Sequence, residues 1–299
     1  MPHAHDRTED NDDVRRQTEI EVEVPDLGRA RASISVTALK RFWRCELAYW
    51  FAYVAQRGQP VSAGEWSLGA IVHGTLQRLF NLPPERRSFE SLLELALAEW
   101  RVDHPTEYFD HLYLARSKAA GIFRVVDVQQ VQVVGTEVAV AQTFGRFELK
   151  GRIDLLYRDH NGTNVVADYK TRLRWPKSPL QDPMLTMLTY DTLLSARYSS
   201  PDVATVLELL GLDPPVAERS NSIMAEDRAR HRSEIARHLD RLAAADGTDI
   251  WSGRVRPSCD SCAFHDHCPA VLEARRPKGS ASRVALRAED LPPPRRSDQ

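Results

Sequence analysis

From residue 33 to about residue 124, the apolar residues recur with the period of a helix. Residues 33–54, SISVTALKRFWRCELAYWFAYV, begin with Ser and Thr capping candidates and continue with aliphatic and aromatic residues at helical spacing. Residues 67–84, SLGAIVHGTLQRLFNLPP, end in a pair of prolines and carry an apolar stripe formed by Leu68, Val72, Leu76 and Leu79. Residues 89–124 are helical by composition. The pattern therefore predicts several helices before any strand.

β-branched residues then take over and predict a sheet. Residues 128–170 have the pattern of three or four antiparallel strands, with turn signals at Phe144-Gly145 and at His160-Asn161-Gly162. An amphipathic helix, a strand and a long charged helix are predicted next, over residues 182–198, 201–211 and 222–245. This order of elements predicts an α/β core with a helical insertion near its N-terminal side.

Length and charge add limits on the class of protein. With 299 residues the chain is long enough for a large core, which we assign to one domain over residues 19–275. Residues 1–18 are polar and charged, and residues 276–299 are rich in Pro, Arg and Ser, so both are expected to be disordered tails. The 40 Lys and Arg residues nearly balance the 42 Asp and Glu residues, so a nucleic acid would have to be bound by a local patch. The sequence has no apolar stretch of about 18 residues, and residues 1–17 have no apolar segment, so we expect no membrane span, no signal peptide and a cytoplasmic protein.

Asp154, Asp168 and Lys170 stand at the ends of two neighbouring predicted strands. Residues two apart in a strand share a face, so the side chains of Asp168 and Lys170 point the same way, and Asp154 precedes the hairpin leading to that strand. A turn-forming Asp or an exposed ion pair would explain each residue alone. Two carboxylates held together repel unless a cation binds them. A hard cation such as Mg²⁺ beside a Lys that orients water is the chemistry of phosphodiester hydrolysis.

Three of the four cysteines lie in CDSCAFHDHC, residues 259–268, with the C-x2-C-x5-C spacing of a ligand set. In a reducing compartment we do not expect them to form disulfides. All four thiolates could hold an iron–sulfur cluster or zinc. Alternatively, the three clustered cysteines bind zinc together with His265 or His267, and Cys45 is an ordinary core residue inside its helix.

The segments GRIDLL and VVADYKT together resemble the G-x-x-D … D-x-K core of the PD-(D/E)XK nuclease superfamily. More narrowly they resemble the RecB-type nucleases, which include AddB and the CRISPR-associated RecB-like exonucleases. LGAIVHGTLQRL is similar to that family's helix with a metal-binding His, and SISVTALKRFWRCELAYWF is similar to the segment with its first cluster cysteine. With the terminal cysteine run, the motifs follow in order over residues 33–268. The resemblance implies a restriction-endonuclease-like core sheet flanked by helices, with a helical N-terminal insertion and a C-terminal cysteine cluster.

The resemblance also implies roles for individual residues. Mg²⁺ or Mn²⁺ would be held by His73, Asp154 and Asp168, with the carbonyl of Tyr169 as a further ligand. Lys170 would serve the attacking water. Glu137, in the preceding strand, is a weaker candidate for an acidic helper.

Two of the implied motifs depart from the family pattern. Tyr190 matches the Tyr of the family's Q-x-x-x-Y helix, but Thr186 stands at the Gln position. A [4Fe–4S] cluster is implied at Cys45, Cys259, Cys262 and Cys268, where Glu46 follows the first cysteine in place of the usual Pro.

A basic and aromatic segment follows Lys170 and would hold DNA through Arg172, Arg174, Trp175 and Lys177. A solvated loop with the Trp packed down is the alternative. The sequence has no G-x-x-x-x-G-K-[ST] motif, so duplex DNA would have to be frayed at its ends or opened by a helicase in trans. We therefore expect a metal-dependent DNA exonuclease that acts on single strands or DNA ends in recombination or repair. A non-catalytic nucleic-acid-binding subunit and a zinc-stapled adaptor are the alternatives.

Overall fold

A computed structural model describes residues 32–55, 63–103, 109–171, 183–196, 204–274 and 284–291. The predicted N-terminal tail and the basic segment after Thr171 lie outside these ranges. Within the described ranges, no helix combines the length and the apolar character needed to cross a membrane.

The segment predicted as one helix over residues 33–54 is divided into several elements. It forms strand β1 (Ala32–Ser35), helix α1 (Val36–Arg44), helix α2 (Glu46–Tyr49) and a π-helical turn (Trp50–Val54). Ser35 caps α1, since its Oγ accepts the N–H of Ala38 at 3.1 Å. The prediction that Cys45 lies inside a helix is wrong, because its backbone is extended (φ −165°, ψ 120°) and separates α1 from α2.

The predicted helices that follow are present. They are α3 (Ala63–Phe80), α4 (Phe89–Asp103), α5 (Phe109–Ala120) and the short α6 (Ile122–Val125). All four residues of the predicted apolar stripe of α3 are buried. The periodic pattern therefore identified the buried face of this helix correctly.

A six-stranded mixed sheet forms the centre of the described residues. Its remaining strands are β2 (Gln132–Phe144), β3 (Phe147–Arg158), β4 (Asn164–Lys170), β5 (Thr205–Leu212) and β6 (Pro215–Arg219), with α7 (Pro183–Ser195) between β4 and β5 and α8 (Ala225–Thr248) after β6. The strand order is β1-β3-β4-β5-β6, and β2 covers the other edge of β3. β1 runs parallel to β3 and β4 parallel to β5, whereas the other pairs are antiparallel.

Helices cover both faces of this sheet. One core joins α1, α7 and α8 to side chains such as Ile153, Val166 and Leu207. The other joins helices α3 to α6 to the opposite face, through side chains such as Val165 and Leu210. The predicted fold class, a core sheet flanked by helices, is thereby confirmed.

The C-terminal region adds a second, small sheet. Strand β7 (Ile250–Gly253) pairs with β8 (Val284–Arg287), and two 3-10 turns (Pro257–Ser261 and His265–His267) and helix α9 (Pro269–Ala274) lie between them. Strand β8 falls within the stretch expected to be a disordered tail. The difference arises because four residues, VALR, pair with β7 inside a segment whose composition is otherwise typical of disorder.

Candidate active site

The candidate active site lies where one edge of β3 changes partner. On that edge β1 pairs with residues 147–150 and β4 pairs with residues 155–158, so the described strands leave residues 151–154 unpaired there. The alternation of side chains is also broken at this point. Leu149 and Ile153 belong to one core, whereas Leu155, two residues further, belongs to the other. Asp154 therefore lies at a twist in β3 where two strands separate.

Glu137 lies opposite Asp154 in the neighbouring strand. Thr136 pairs with Leu155 and Val138 pairs with Ile153, which leaves Glu137 at the level of Asp154. The backbone of Glu137 has a φ of 50°, in the left-handed region that costs a non-glycine residue about 1–3 kcal/mol. Irregularities of this kind in a strand redirect a side chain. Here the irregularity accompanies the approach of Glu137 to the carboxylate of Asp154.

His73, Glu137 and Asp154 form a group whose ligand atoms all lie within 4.8 Å of one another. His73 projects from α3, and its Nδ1 is 3.5 Å from Oδ1 of Asp154. Oδ2 of Asp154 accepts the backbone N–H of Tyr169 at 2.8 Å. Two of the predicted metal ligands are thus brought together with Glu137, and Asp168 is not a member of this compact group.

The ionisable side chains of this group influence one another's pKa values. Burial lowers the pKa of His73, but the Asp154 carboxylate outweighs this effect and the net pKa is raised. Burial raises the pKa of Asp154, but the hydrogen bond and charge of His73, the charge of Lys170 and the backbone N–H of Tyr169 together outweigh burial, and the net pKa is lowered. Burial and the nearby Asp154 raise the pKa of Glu137. A divalent ion would relieve the repulsion between the two carboxylates.

Asp168 and Lys170 form an ion pair at the end of β4. The Asp168 side chain is 10% exposed and the Lys170 side chain 37% exposed, so the ammonium is the more accessible partner. The ammonium also donates to the carbonyl of Tyr169 at 3.4 Å. Burial lowers the pKa of Lys170, but the Asp168 carboxylate outweighs it and the net pKa is raised. Sequence alternation therefore predicted the shared face of these two residues correctly.

Tyr169 points the opposite way. Its ring is buried and stacks on Phe80 at a centroid distance of 6.4 Å, and it forms a T-shaped contact with the His73 ring at a centroid distance of 5.7 Å. The backbone of Tyr169 therefore contacts Asp154 and Lys170, while its side chain supports the position of His73.

Tyr190 reaches the site from α7 because Gly151 has no side chain. A Cβ at residue 151 would lie 2.6 Å from Cε1 of Tyr190 and 3.2 Å from Cγ2 of Val36. Burial raises the pKa of Tyr190, and the charge of Asp168 raises it further. One turn earlier on α7, Oγ1 of Thr186 accepts the ammonium of Lys40 at 2.7 Å. Thr186, which stands where the family pattern has Gln, is thus held by a lysine of α1.

All four cysteines line one cavity of about 110 Å³. Cys45 comes from the break between α1 and α2, and the other three come from the 3-10 turns and the start of α9, more than 200 residues later in the chain. All four are free thiols. Arginines also line the cavity: Arg41, Arg44, Arg254 and Arg256. The pKa of Cys45 is raised by burial first and then by the charges of Cys268 and Cys262.

The cysteine ligand atoms are spaced more widely than those of the acidic group. Among the described residues, the only three Cys, His, Asp or Glu ligand atoms within 4.8 Å of one another are those of His73, Glu137 and Asp154. The cysteine site is therefore less compact than the acidic group. This holds for Cys259, Cys262 and Cys268 alone, and also when Cys45, His265 or His267 is added to them.

The contacts of Glu46 account for a glutamate, rather than the usual proline, after Cys45. Its Oε2 accepts the backbone N–H of Ser252 at 3.0 Å, and its Oε1 pairs with the guanidinium of Arg241. The carboxylate therefore fastens α2 to β7 and α8 beside the cavity. A proline at this position could not make either contact.

The predicted DNA-binding residues Arg172, Arg174, Trp175 and Lys177 lie outside the described residues. The last described residue before them is Thr171, whose carbonyl accepts the ammonium of Lys118 at 3.1 Å. Lys118 is buried and also pairs with Asp213. Sequence reasoning missed this lysine, because it lies in a helix far from the strand motifs.

A family model of the PD-(D/E)XK nuclease superfamily matches residues 33–269, so the chain belongs to this superfamily. Among solved structures, the chain is similar to SSO0001, with 17% identity over 84% of this chain and 90% of that one and a TM-score of 0.39. It is also similar to a "Putative exonuclease" from Eubacterium rectale, with 13% identity over 79% of this chain and 88% of that one and a TM-score of 0.48. No curated protein matches by sequence. Membership of the superfamily places the chain among nucleases, which cleave phosphodiester bonds of nucleic acids.

Proposed function

We propose that the protein is a Mg²⁺- or Mn²⁺-dependent DNA exonuclease of the RecB-like type that acts on single strands or DNA ends. The observation that carries the proposal is the meeting of His73, Glu137 and Asp154 beside the Asp168–Lys170 pair. We also propose that residues 19–275 form one nuclease domain. Duplex substrates would be opened by a helicase in trans.

The donor set fits a hard divalent cation. Mg²⁺ and Mn²⁺ prefer oxygen ligands, and imidazole is an acceptable ligand for Mn²⁺. We assign His73, Asp154 and Asp168 as ligands, with the Tyr169 carbonyl, and add Glu137 on the basis of its distance. When bound, the ion would polarise the phosphate and lower the pKa of water.

The chain's own residues would carry the remaining steps. Asp168 and the Tyr169 carbonyl hold the Lys170 ammonium at the end of β4, from where it can orient the attacking water and stabilise the charge that develops on the phosphate. Tyr190 would close the site from the side of α7 and restrict the position of the substrate.

We further propose that the cysteine-lined cavity holds a [4Fe–4S] cluster rather than zinc. With Zn–S bonds of about 2.3 Å, sulfur atoms around tetrahedral zinc lie only about 3.8 Å apart. The wider spacing of the cysteines supports a larger, polynuclear group. The four lining arginines would offset the negative charge of four thiolates. Joining Cys45 to the other three would close a loop of more than 200 residues, for a stabilisation of about 5 kcal/mol.

The test compares end-labelled linear single-stranded DNA, circular single-stranded DNA, duplex DNA and single-stranded RNA of matched sequence. We expect Mg²⁺ or Mn²⁺ to support cleavage of linear single-stranded DNA, EDTA to stop it, and the circular form to resist. Cleavage that persists in EDTA would refute the metal assignment, and cleavage of circles would refute the exonuclease assignment. The Asp168→Asn variant is the control for contaminating nucleases, since its preparation should be inactive.

A further inference from the structure

A groove with exposed aromatic side chains lies beside the candidate active site. It has a volume of about 630 Å³ and runs between the start of α4, the outer face of α5 and the turn from β5 to β6. We call it the α5 groove and define it by Phe89, Tyr113, Arg116, Arg124 and Asp213. Tyr113 is 77% exposed and Phe89 is 49% exposed. Both rings therefore keep a large exposed surface on which a ligand could pack.

The charges of the α5 groove favour an anion. Arg116 donates through Nη2 to the carbonyl of Leu93 at 2.9 Å, and its Nε has no hydrogen-bond partner among the described residues. Arg124 is exposed. The carboxylate in the groove, that of Asp213, is already paired with the buried Lys118. The groove is therefore lined by two guanidinium groups and two aromatic rings. Because Asp213 is paired with Lys118, it does not neutralise the charges of the two arginines.

The α5 groove borders the end of β5, the strand that pairs with the end of β4 carrying Lys170. In the ladder between β4 and β5, Lys170 pairs with Gly211, and Leu212 and Asp213 follow directly into the groove. Lys118 links the two places, since its ammonium contacts both Asp213 and the carbonyl of Thr171, the residue after Lys170. A ligand in the groove therefore lies close to the backbone that leaves the active site.

A second depression of about 600 Å³ extends the path. It shares Phe89 and Arg124 with the α5 groove and adds Phe123, whose ring lies 6.1 Å from that of Phe89. Arg87 also lines it, but its guanidinium is committed to the carbonyls of Leu82, Val128 and Val131. The extension therefore adds aromatic surface more than charge.

We propose that the α5 groove binds the part of a single-stranded nucleic acid that flanks the scissile phosphate. Unpaired bases would stack on Tyr113 and Phe89, and the backbone phosphates would contact Arg116 and Arg124. This inference rests on the proposed nuclease function, because it requires a strand whose cleaved end lies at Lys170. A duplex does not fit the same surface, since its bases are already stacked on one another and do not present their faces.

The test measures the binding of fluorescently labelled single strands of increasing length in EDTA, which prevents cleavage. Wild-type affinity should rise with length until the groove is filled. Tyr113→Ala should weaken the binding of long strands by about tenfold, whereas Tyr113→Phe should keep it, because stacking needs only the ring. Arg124→Ala should make the dependence of log affinity on log salt shallower by about 0.7, the value for one phosphate contact on a single strand.

Matched controls lie on other faces of the molecule. Tyr53, 41% exposed, follows α2, and the exposed Arg230 lies on α8. Tyr53→Ala and Arg230→Ala should bind long strands as the wild type does. Thermal unfolding of each variant separates lost binding from lost folding, and all the substituted side chains are exposed enough for the variants to fold.

The two proposals fail in different ways. Hydrolysis of a small chromogenic phosphodiester by the wild-type protein with Mn²⁺ tests the active site alone. If the wild type hydrolyses it but Tyr113→Ala binds long strands at wild-type affinity, the α5 groove inference is overturned while the active-site proposal stands. If strand binding depends on Tyr113 but the wild type hydrolyses neither strands nor the small ester, the nuclease proposal fails; the α5 groove then binds a single strand, but that strand does not flank a scissile phosphate.

Discussion

The carboxylates of Glu137 and Asp154 meet across the ladder of β2 and β3, and Glu137 reaches this position with a left-handed backbone. Such a conformation is costly for a residue with a side chain, and residues of this kind cluster at functional sites. The relationship supports our proposal that Glu137 is a ligand of the metal.

Glu137→Gln should weaken Mn²⁺ binding by about 10–100-fold, because it removes one of the carboxylates close to His73 while keeping the size of the side chain. Isothermal titration with MnCl₂ measures the affinity directly. Glu148→Gln, a carboxylate of β3 that pairs with Lys150, is the matched control and should leave Mn²⁺ affinity unchanged. Equal affinities for wild type and Glu137→Gln would remove Glu137 from the site.

Glu137→Gly should leave the free energy of unfolding almost unchanged. Glycine adopts a positive φ without strain, and this gain offsets the usual cost of glycine in a strand. Glu148→Gly lacks the compensating gain and should lose about 1 kcal/mol. Urea unfolding of both variants makes the comparison, and a large loss for Glu137→Gly alone would mean that the left-handed backbone is not strained.

Part of this site could be predicted from the sequence. Asp154, Asp168 and Lys170 were identified because strand alternation and turn signals determine which residues share the end of a sheet. The approach of Glu137 to Asp154 could not be predicted, because a left-handed backbone inside a strand leaves no sequence pattern unless the residue is glycine. The break at Cys45 was missed for a related reason, since the apolar period of the surrounding residues continues across it. Lys118 was missed because its contact with Thr171 joins segments 53 residues apart.

Gly151→Ala should destabilise the protein by about 1–3 kcal/mol, because the new methyl group overlaps the ring of Tyr190. The double variant Gly151→Ala/Tyr190→Ala should be no less stable than Tyr190→Ala alone, since the overlap is then removed. Denaturant unfolding of the four proteins gives the coupling energy. Additive losses would mean that the methyl group clashes with something other than Tyr190, such as Val36.

His238 should make the protein less stable in mild acid. Burial beside Trp43, together with the charges of Arg241 and Arg237, lowers the pKa of His238 to about 4, below the value of 6.5 expected in the unfolded chain. Between these values the unfolded chain binds more protons, so stability falls as pH falls from 6.5 towards 4. Since the ring is only half-buried, we expect its share to be about 1–2 kcal/mol. Thermal unfolding at several pH values should show a smaller acid loss for His238→Gln than for the wild type, and an equal loss would refute the assignment.

Cys45→Ser tests whether a cluster joins distant parts of the chain. Cys45 shares a cavity with Cys259, Cys262 and Cys268, and the spacing of the four supports a polynuclear group. Anaerobically purified wild-type protein should contain iron and sulfide and show the visible absorbance of an iron–sulfur cluster. Cys45→Ser should lose this absorbance as fully as Cys262→Ser, and the loss of the cross-link should lower stability by up to about 5 kcal/mol.

A zinc site would respond to a different set of substitutions. Zinc held by Cys259, Cys262 and Cys268 with a neighbouring histidine would survive Cys45→Ser and would be lost in His265→Ala or His267→Ala. Metal analysis of the four variants therefore separates the two assignments. If Cys45→Ser keeps its full metal content and its stability, the cluster assignment is wrong, and Cys45 is then only a thiol that lines the cavity.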